Sequence, residues 1–455
     1  MNAKAKNAVR GQERVAGAAG MTNSTVMHAA ASDAGRSPAR RRPRSLRAID
    51  WTPILLVFLI GAAFFLRVIL LDQPRGALIF DETYYVNAAR VILGLPVASG
   101  APYADARPGL DPNAEHPPLA KLLMAASMRA FGDNGWGWRL PSVFLGTLSI
   151  PLLYGLARRV GAGQGVALLA TFVYAFDNLV FVHSRIGTLD IFLVTFLLLG
   201  LYCYLAGRPI LAGLACAAAT LCKIGGVYGI AIIVAFEGLR LCRARAARGR
   251  WEWQALAPLL IAGVVYAVAL PALLGLLDSR WSSYKNPVDH LQHILRYGFA
   301  LVRAEGPQGE ESSPWQWLIN EVPITYLRVN SSILETVTSQ VTRTTIFFRG
   351  AMNPYVIAGA PLAVAYAAHS AWTRRDDYSF LVLALFFVTY APFWPAAELG
   401  HRISYLFYFL PTLPAVALGV GQLLHAPQLP RAIRWAYIGA VLLGFYGYFP
   451  FRTLP

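Results

Sequence analysis

Charge is what this sequence has least of. Asp, Glu, Lys and Arg make up 14% of its 455 residues, against a hydrophobic share of 56%, whereas soluble domains carry about 25% charged residues. That deficit argues against an ordinary water-soluble enzyme and towards lipid. Cysteine is sparse as well: Cys203, Cys216, Cys222 and Cys242 fall within or at the ends of apolar segments, with no Cys-x-x-Cys spacing. Disulfide and zinc frameworks are not indicated, and the four read as buried small hydrophobes. Acidic residues number 24 against 40 Lys and Arg, a net charge of +16. Nucleic acid does not follow, because the excess is localised. Residues 1–50 hold ten Lys/Arg and three Asp/Glu and so supply +7 of it, with Arg40, Arg41, Arg42, Arg44 and Arg47 massed before the first apolar segment. That is the cytoplasmic flank of a membrane span, where anionic lipid headgroups attract it. The remaining tail, rich in Ala, Gly, Ser and Asn without periodicity, reads as disordered. The first apolar segment begins beyond residue 50 and no small-residue cleavage site follows it, which argues against a secretory signal peptide.

What the chain does have is a series of apolar segments close to the ~20 residues that cross a bilayer as a helix. They fall at 53–71, 138–157, 164–182, 188–206, 209–222, 224–241, 255–277, 351–371, 378–396, 402–424 and 432–450. The expectation is an all-α polytopic membrane protein of about eleven transmembrane helices over residues 51–455. An odd count with the N-terminus inside places the C-terminus outside. Charge supports this orientation independently. Arg158, Arg159, Arg208, Arg374, Arg375, Arg431, Arg434 and the basic run at 240–250 fall in loops placed inside. Asp81, Glu82, Asp111, Glu115, Asp133, Asp278 and Glu398 fall outside. The predicted location is the cell membrane.

Two outer loops are long, 72–135 and 278–350. The first alternates an amphipathic stretch (84–95), a Pro/Gly/Asp-rich region (94–118) and an apolar run (119–131), the pattern of short interfacial helices. The second carries Trp281, Tyr284, Tyr297, Trp315, Trp317 and Tyr326, aromatics suited to headgroups or to stacking on sugar. No internal repeat of the inverted transporter kind is visible.

Chemistry concentrates outside. Phe80-Asp81-Glu82-Thr83-Tyr84-Tyr85 sets two adjacent carboxylates among aromatics. They can serve a helix N-terminus, Asp81 as cap and Glu82 in the first turn, or act as a general base on a hydroxyl. His116-Pro117-Pro118-Leu119-Ala120-Lys121 follows, its histidine a turn residue or a pocket residue, its lysine long enough to reach phosphate or water. Arg139, Arg185, Lys223 and Arg402 then stand at the outer ends of four different spans, and Asp190 opens another. Cations there oppose the positive-inside rule, and charge in the membrane costs about 2.5–3.5 kcal/mol even on the mild scale. An anionic ligand at that depth repays the cost, and a lipid phosphate fits. One carboxylate base and a ring of cations equip a protein to transfer sugar from a lipid phosphate. Cations stabilise the leaving phosphate directly, so the second carboxylate of a glycosidase is not required. A lipid-linked sugar flippase is disfavoured, because its ionisable groups belong near the bilayer midplane.

The order FDETYY, HPPLAK, GWRLPSVFLGTL, FDNLVFVHSRIGTLDIFL, LCKIGGVYG, SSPWQW, MNP and RISYLFYFLPTLP, over roughly residues 52–424, resembles the protein O-mannosyltransferases that use dolichyl- or polyprenyl-phosphate mannose, particularly shorter bacterial members. The resemblance implies a GT-C membrane glycosyltransferase fold, an external site and an inverting mechanism. Asp81 would be the base, with Glu82 assisting the acceptor. Arg139 would hold the donor phosphate, and Arg185, Lys223 and Arg402 are grouped with it. Tyr84, Tyr85, His116, Lys121, Asp190, Trp315 and Trp317 form the expected acceptor or sugar pocket. The expected partners are a polyprenyl-phosphate-linked sugar, an exported protein acceptor and membrane lipids; no metal or other cofactor is expected. The chain departs from the family in having no room for the external MIR domain. It also has Gly306 to Glu311 where a histidine often precedes the S-x-P-W element, and it reads FYFLP around Tyr408. A related transferase moving another lipid-phosphate sugar to a lipid or polysaccharide would use the same parts.

Overall fold

The computed structural model describes residues 50–336 and 339–451; the basic tail read from the sequence lies almost wholly outside them. Helices begin where the sequence supplies a residue able to start one. Pro53, Pro209, Pro258, Pro287, Pro354 and Pro414 occupy first or second helical positions, where their missing N–H leaves no bond unmade. Asn134, Asp177, Asn286, Asn353 and Asp376 accept first-turn N–H groups through their side chains.

The first half runs α1 (Thr52–Val68), α2 (Glu82–Leu93), α3 (Leu119–Phe131), α4 (Gly135–Arg159), α5 (Gln164–Ala175), α6 (Asn178–His183), α7 (Asp190–Leu205) and α8 (Pro209–Cys222). The second runs α9 (Tyr228–Arg248), α10 (Ala257–Trp281), α11 (Pro287–Ala300), α12 (Pro314–Trp317), a hairpin of β1 (Ile324–Thr336) and β2 (Ser339–Gly350), α13 (Pro354–Thr373), α14 (Asp377–Tyr390), α15 (Phe393–Glu398), α16 (Leu413–Leu423) and α17 (Arg431–Gly447). Every apolar segment read from the sequence contains a helix. Among the described residues five helical stretches are both long and apolar enough to cross a membrane: Gly135–Arg159, Ile224–Arg248, Trp253–Trp281, Asp377–Glu398 and Leu406–Leu423. The apolar helices Thr52–Val68, Gln164–Ala175, Asp190–Leu205 and Pro209–Cys222 are shorter. Leu260, Val264, Val268 and Leu276 stand exposed along α10, an apolar face suited to lipid.

Four expectations are corrected. The chain is not purely helical, because the second long loop carries the antiparallel β1–β2 hairpin, with Ile324 opposite Gly350 and Arg328 opposite Phe347. The segment 164–182 breaks at Asp177, which turns its carboxylate back to cap α6. The segment 402–424 opens extended, Arg402 bridging to Val302, then passes through a 3₁₀ turn (Leu406–Thr412) into α16. Cys203, Cys216 and Cys222 are buried as expected, but Cys242 is exposed, because it lies on the polar last turns of α9.

Close packing joins the helices. At Gly213 a Cβ would lie 2.5 Å from the Ala262 carbonyl oxygen, so glycine is what lets α8 lie against α10. The MNP element is a knot. Asn353 donates to the carbonyls of Phe176 (3.2 Å) and Val441 (2.8 Å), and its own N–H is accepted by Asp177 at 2.9 Å. It binds the α5–α6 break, α13 and α17, satisfying buried groups that hydrocarbon would leave unpaired.

Candidate active site

The adjacent carboxylates at the start of α2 have different environments. Glu82 is buried. Its oxygens accept from the N–H groups of Ile79 (2.7 Å) and Gly187 (2.8 Å) and from Arg139 Nε and a terminal nitrogen, both at 2.8 Å. Asp81 is only partly buried and stands at the N-cap position without capping. Its backbone is helical (φ −66°, ψ −3°), whereas a capping residue is extended. The first-turn N–H groups are taken by the main-chain carbonyls of Ile79, Phe80 and Asp81 itself. Among the described residues its carboxylate makes no hydrogen bond, so the cap expected from the sequence is absent. Burial pushes the Asp81 carboxyl up to about 7, the Lys223 ammonium pulling it down and the Asp190 carboxylate adding to the rise.

Lys223, at the end of α8, donates to Asp190 at 2.7 Å. Burial lowers its affinity for a proton, but Asp190, Tyr408 and Asp81 outweigh that and leave it raised. It also lies 5.2 Å from the ring centre of Phe407 and 5.5 Å from that of Tyr408. The Arg402 guanidinium stands 5.6 Å from the same Tyr408 ring. Arg402 donates to the carbonyls of Gly298 (2.9 Å) and Ile403 (3.3 Å), and its other terminal nitrogen takes no partner among the described residues. Two cations thus flank one tyrosine.

The other two expected phosphate ligands are engaged within the protein. Arg139 has five N–H groups and all five are engaged: two by Glu82, and three by the carbonyls of Leu71, Gln73 and Ala77. Arg185 is buried and donates at 2.6 Å to the carbonyls of Leu66 and Ile69, closing the C-terminal end of α1. Helix-end and loop carbonyls, with Glu82 for Arg139, satisfy both cations within the protein.

Around Asp81 lie the aromatics. Tyr84 is exposed and packs edge-on to Tyr103, 6.5 Å away, while Tyr85 is buried 5.9 Å from the His116 ring. Burial, then Lys223 and Lys121, hold the His116 imidazole well below its ordinary range, and its Nδ1 has no partner. Lys121 does not reach phosphate or water. It is wholly buried, 2.6 Å from Asp111, and donates to the carbonyls of Asn113 and His116, so it pins the 111–116 turn. Trp317 is corrected too: it lies in the core beside Phe393 with its N–H on Ser312, so no sugar can stack on it. Trp315 remains exposed. Four contributors were missed by sequence reasoning: His183, Tyr326, Phe407 and Tyr408. His183 and Phe407 stood inside quoted motifs, Tyr326 among the loop aromatics and Tyr408 in the FYFLP run, but nothing in their spacing showed that they gather around Phe80 and Lys223.

A family model described as dolichyl-phosphate-mannose-protein mannosyltransferase matches residues 115–268. The polyprenol-phosphate-mannose–protein mannosyltransferase of Mycobacterium tuberculosis is 23% identical over 466 residues, covering 83% of each chain. The chain is a homologue of the protein mannosyltransferases. The Corynebacterium glutamicum protein of the same name is 36% identical over 125 residues, 27% of this chain and 23% of that mannosyltransferase. The matched stretch thus spans about a quarter of that relative. The S. cerevisiae O-mannosyltransferase Pmt1–Pmt2 complex bound to the sugar donor superposes with a TM-score of 0.65 at 13% identity, covering 89% of this chain and 90% of that one. At that identity the likeness is one of fold, the GT-C fold of membrane glycosyltransferases. The mannosyltransferase model covers α3 to α10 in part, and so includes Arg139, Arg185, Asp190 and Lys223, but begins after Asp81.

Proposed function

We propose that this protein transfers mannose, with inversion, from polyprenyl-phosphate mannose to Ser/Thr hydroxyls of exported proteins at the outer membrane face, without a metal ion. The observation that carries the reading is Asp81: a carboxylate without a hydrogen-bond partner among the described residues, partly exposed, its proton affinity raised to about 7, which feels the charge of Lys223, itself over the Tyr408 ring that Arg402 also approaches. Asp81 takes the proton of the acceptor hydroxyl as its oxygen attacks the anomeric carbon. The bond from that carbon to the phosphate oxygen breaks on the opposite face, and polyprenyl phosphate departs as an anion. Lys223 and Arg402, either side of Tyr408, are placed to take that developing charge. Asp190 holds the Lys223 ammonium beside Asp81.

The same pairings support the metal-free reading. Asp190 is already matched to an ammonium at 2.7 Å, and two adjacent carboxylates of which one, Glu82, is fully engaged by Arg139 and backbone N–H groups leave few ligands for a hard cation. The test incubates purified protein with polyprenyl-phosphate mannose, polyprenyl-phosphate glucose, a Ser/Thr peptide and a lipid or polysaccharide acceptor, and reads products by mass spectrometry. Mannosyl-peptide as the main product supports the reading; glycosylated lipid or polysaccharide with unmodified peptide replaces it with the related transferase.

A further inference from the structure

The hairpin that follows α12 delivers one side chain into the site that no motif marks. Tyr326, near the start of β1, is buried. Its ring lies on Phe80 with centroids 4.0 Å apart and planes 16° from parallel, and its carbonyl accepts the Phe80 N–H at 3.3 Å. The hydroxyl is fixed at its far end, 2.8 Å from His183 Nε2, and His183 Nδ1 is 3.0 Å from Thr188 Oγ1. Phe407 closes on Phe80 edge-on at 5.3 Å.

Phe80 immediately precedes Asp81 and has φ of 54°. Non-glycine residues seldom adopt that conformation, and they keep it only where the surroundings impose it. Here the imposing residues are Tyr326 and Phe407. A second observation shows that the hairpin accommodates the arrangement. A Cβ at Gly350, on β2, would lie 2.4 Å from two Tyr326 ring carbons and 2.6 Å from its hydroxyl oxygen. No side chain fits at that distance, so Gly350 lets the Tyr326 ring cross its own hairpin.

We propose that Tyr326 is a positioning residue for the base: it holds Phe80 in the left-handed region and thereby keeps the Asp81 carboxylate free rather than capping α2. Gly350 supplies the space this requires. The second external loop therefore takes part in the reaction through the first. The inference rests on Asp81 being the base. The ionisable groups facing Asp81 are Lys223 and Asp190, with the hydroxyls of Tyr85, Tyr297, Tyr326 and Tyr405 around it.

The test compares the full-length protein with Tyr326→Ala, Tyr326→Phe, Gly350→Ala and Asp81→Asn, measuring kcat, donor KM and the pH–rate profile with polyprenyl-phosphate mannose and a Ser/Thr peptide. Tyr326→Ala and Gly350→Ala should each lower kcat by about 10²-fold, the cost of misplacing a reacting group by about 1 Å, with little change in donor KM. Their acidic limb should move below its wild-type midpoint as water reaches Asp81, a shift that a general loss of folded protein does not produce. Tyr326→Phe, which keeps the ring and main-chain contacts, should show the smaller loss. Unchanged kcat and an unmoved limb in Tyr326→Ala overturn the inference. If that variant is not recovered folded, the same two results in Gly350→Ala overturn it. Near-normal turnover by Asp81→Asn defeats the base reading instead, whereas a dead Asp81→Asn beside a normal Tyr326→Ala defeats only the positioning role.

Discussion

Glu82 and Arg139 form a bidentate pair, both N–O distances 2.8 Å, and neither side chain is more than 1% exposed. The pair hangs the α1–α2 connection on α4, since Arg139 also holds the carbonyls of Leu71, Gln73 and Ala77. It sets the two adjacent carboxylates apart: Glu82 is fully engaged, whereas Asp81, the proposed base, has no hydrogen-bond partner among the described residues.

Breaking that pair should cost stability rather than donor affinity. Removing one partner of a buried pair costs about 3–5 kcal/mol, because a buried charge is left uncompensated. Arg139→Ala and Glu82→Ala are expected to lower the thermal midpoint and the yield of folded protein. Whatever folded fraction remains should keep its donor KM. A stable Arg139→Ala protein with a greatly raised donor KM would return Arg139 to the phosphate.

Arg402→Ala should raise the donor KM and leave the acceptor KM in place. Arg402 lies beside Tyr408 with a free terminal nitrogen, and a charge-assisted bond to phosphate contributes about 1.5–3 kcal/mol. Titration of polyprenyl phosphate as a competitive inhibitor against this variant checks the assignment directly; equal affinity for wild type and variant would contradict it.

The pH dependence follows from the charges around Asp81. A base must be ionised, so activity rises with pH through the Asp81 value of about 7. Lys223 lowers that value, so Lys223→Met should move the acidic limb to higher pH. Asp190 raises it, so Asp190→Asn should move the limb to lower pH. Opposite displacements in initial-rate profiles are the expected result.

Lys121 and Asp111 give an internal check on the loop. Lys121→Met alone should destabilise by about 3–5 kcal/mol, while pairing it with Asp111→Leu should restore much of the loss, since an apolar pair of similar volume often replaces a buried ion pair without penalty. Chemical denaturation of both variants in detergent measures the difference.

Much of this architecture was legible in the sequence. The apolar run 119–131 is α3 to the residue, and the amphipathic stretch beside it is α2. The acidic motif and the basic span ends were legible as one group, and the fold does bring Asp81, Asp190 and Lys223 together. What stayed hidden was partner choice. Arg139 and Arg402 look alike as cations at span ends, yet carbonyls and a carboxylate exhaust one and leave the other a free nitrogen. Trp315 and Trp317 are two residues apart, and only packing shows that the second is core. The hairpin escaped a reading built on apolar runs, although 324–336 and 339–350 are rich in the β-branched and aromatic residues that favour strands. Phe80 carries no signal in sequence, because its strain is imposed by residues about 250 and 330 positions away.

The most direct measurement is the transfer rate of Asp81→Asn, purified, folded and supplied with saturating polyprenyl-phosphate mannose and peptide. Donor binding should persist while product formation falls by about 10²–10⁴-fold, the usual contribution of a general base. Turnover within a few-fold of wild type would contradict the assignment of Asp81 as the base.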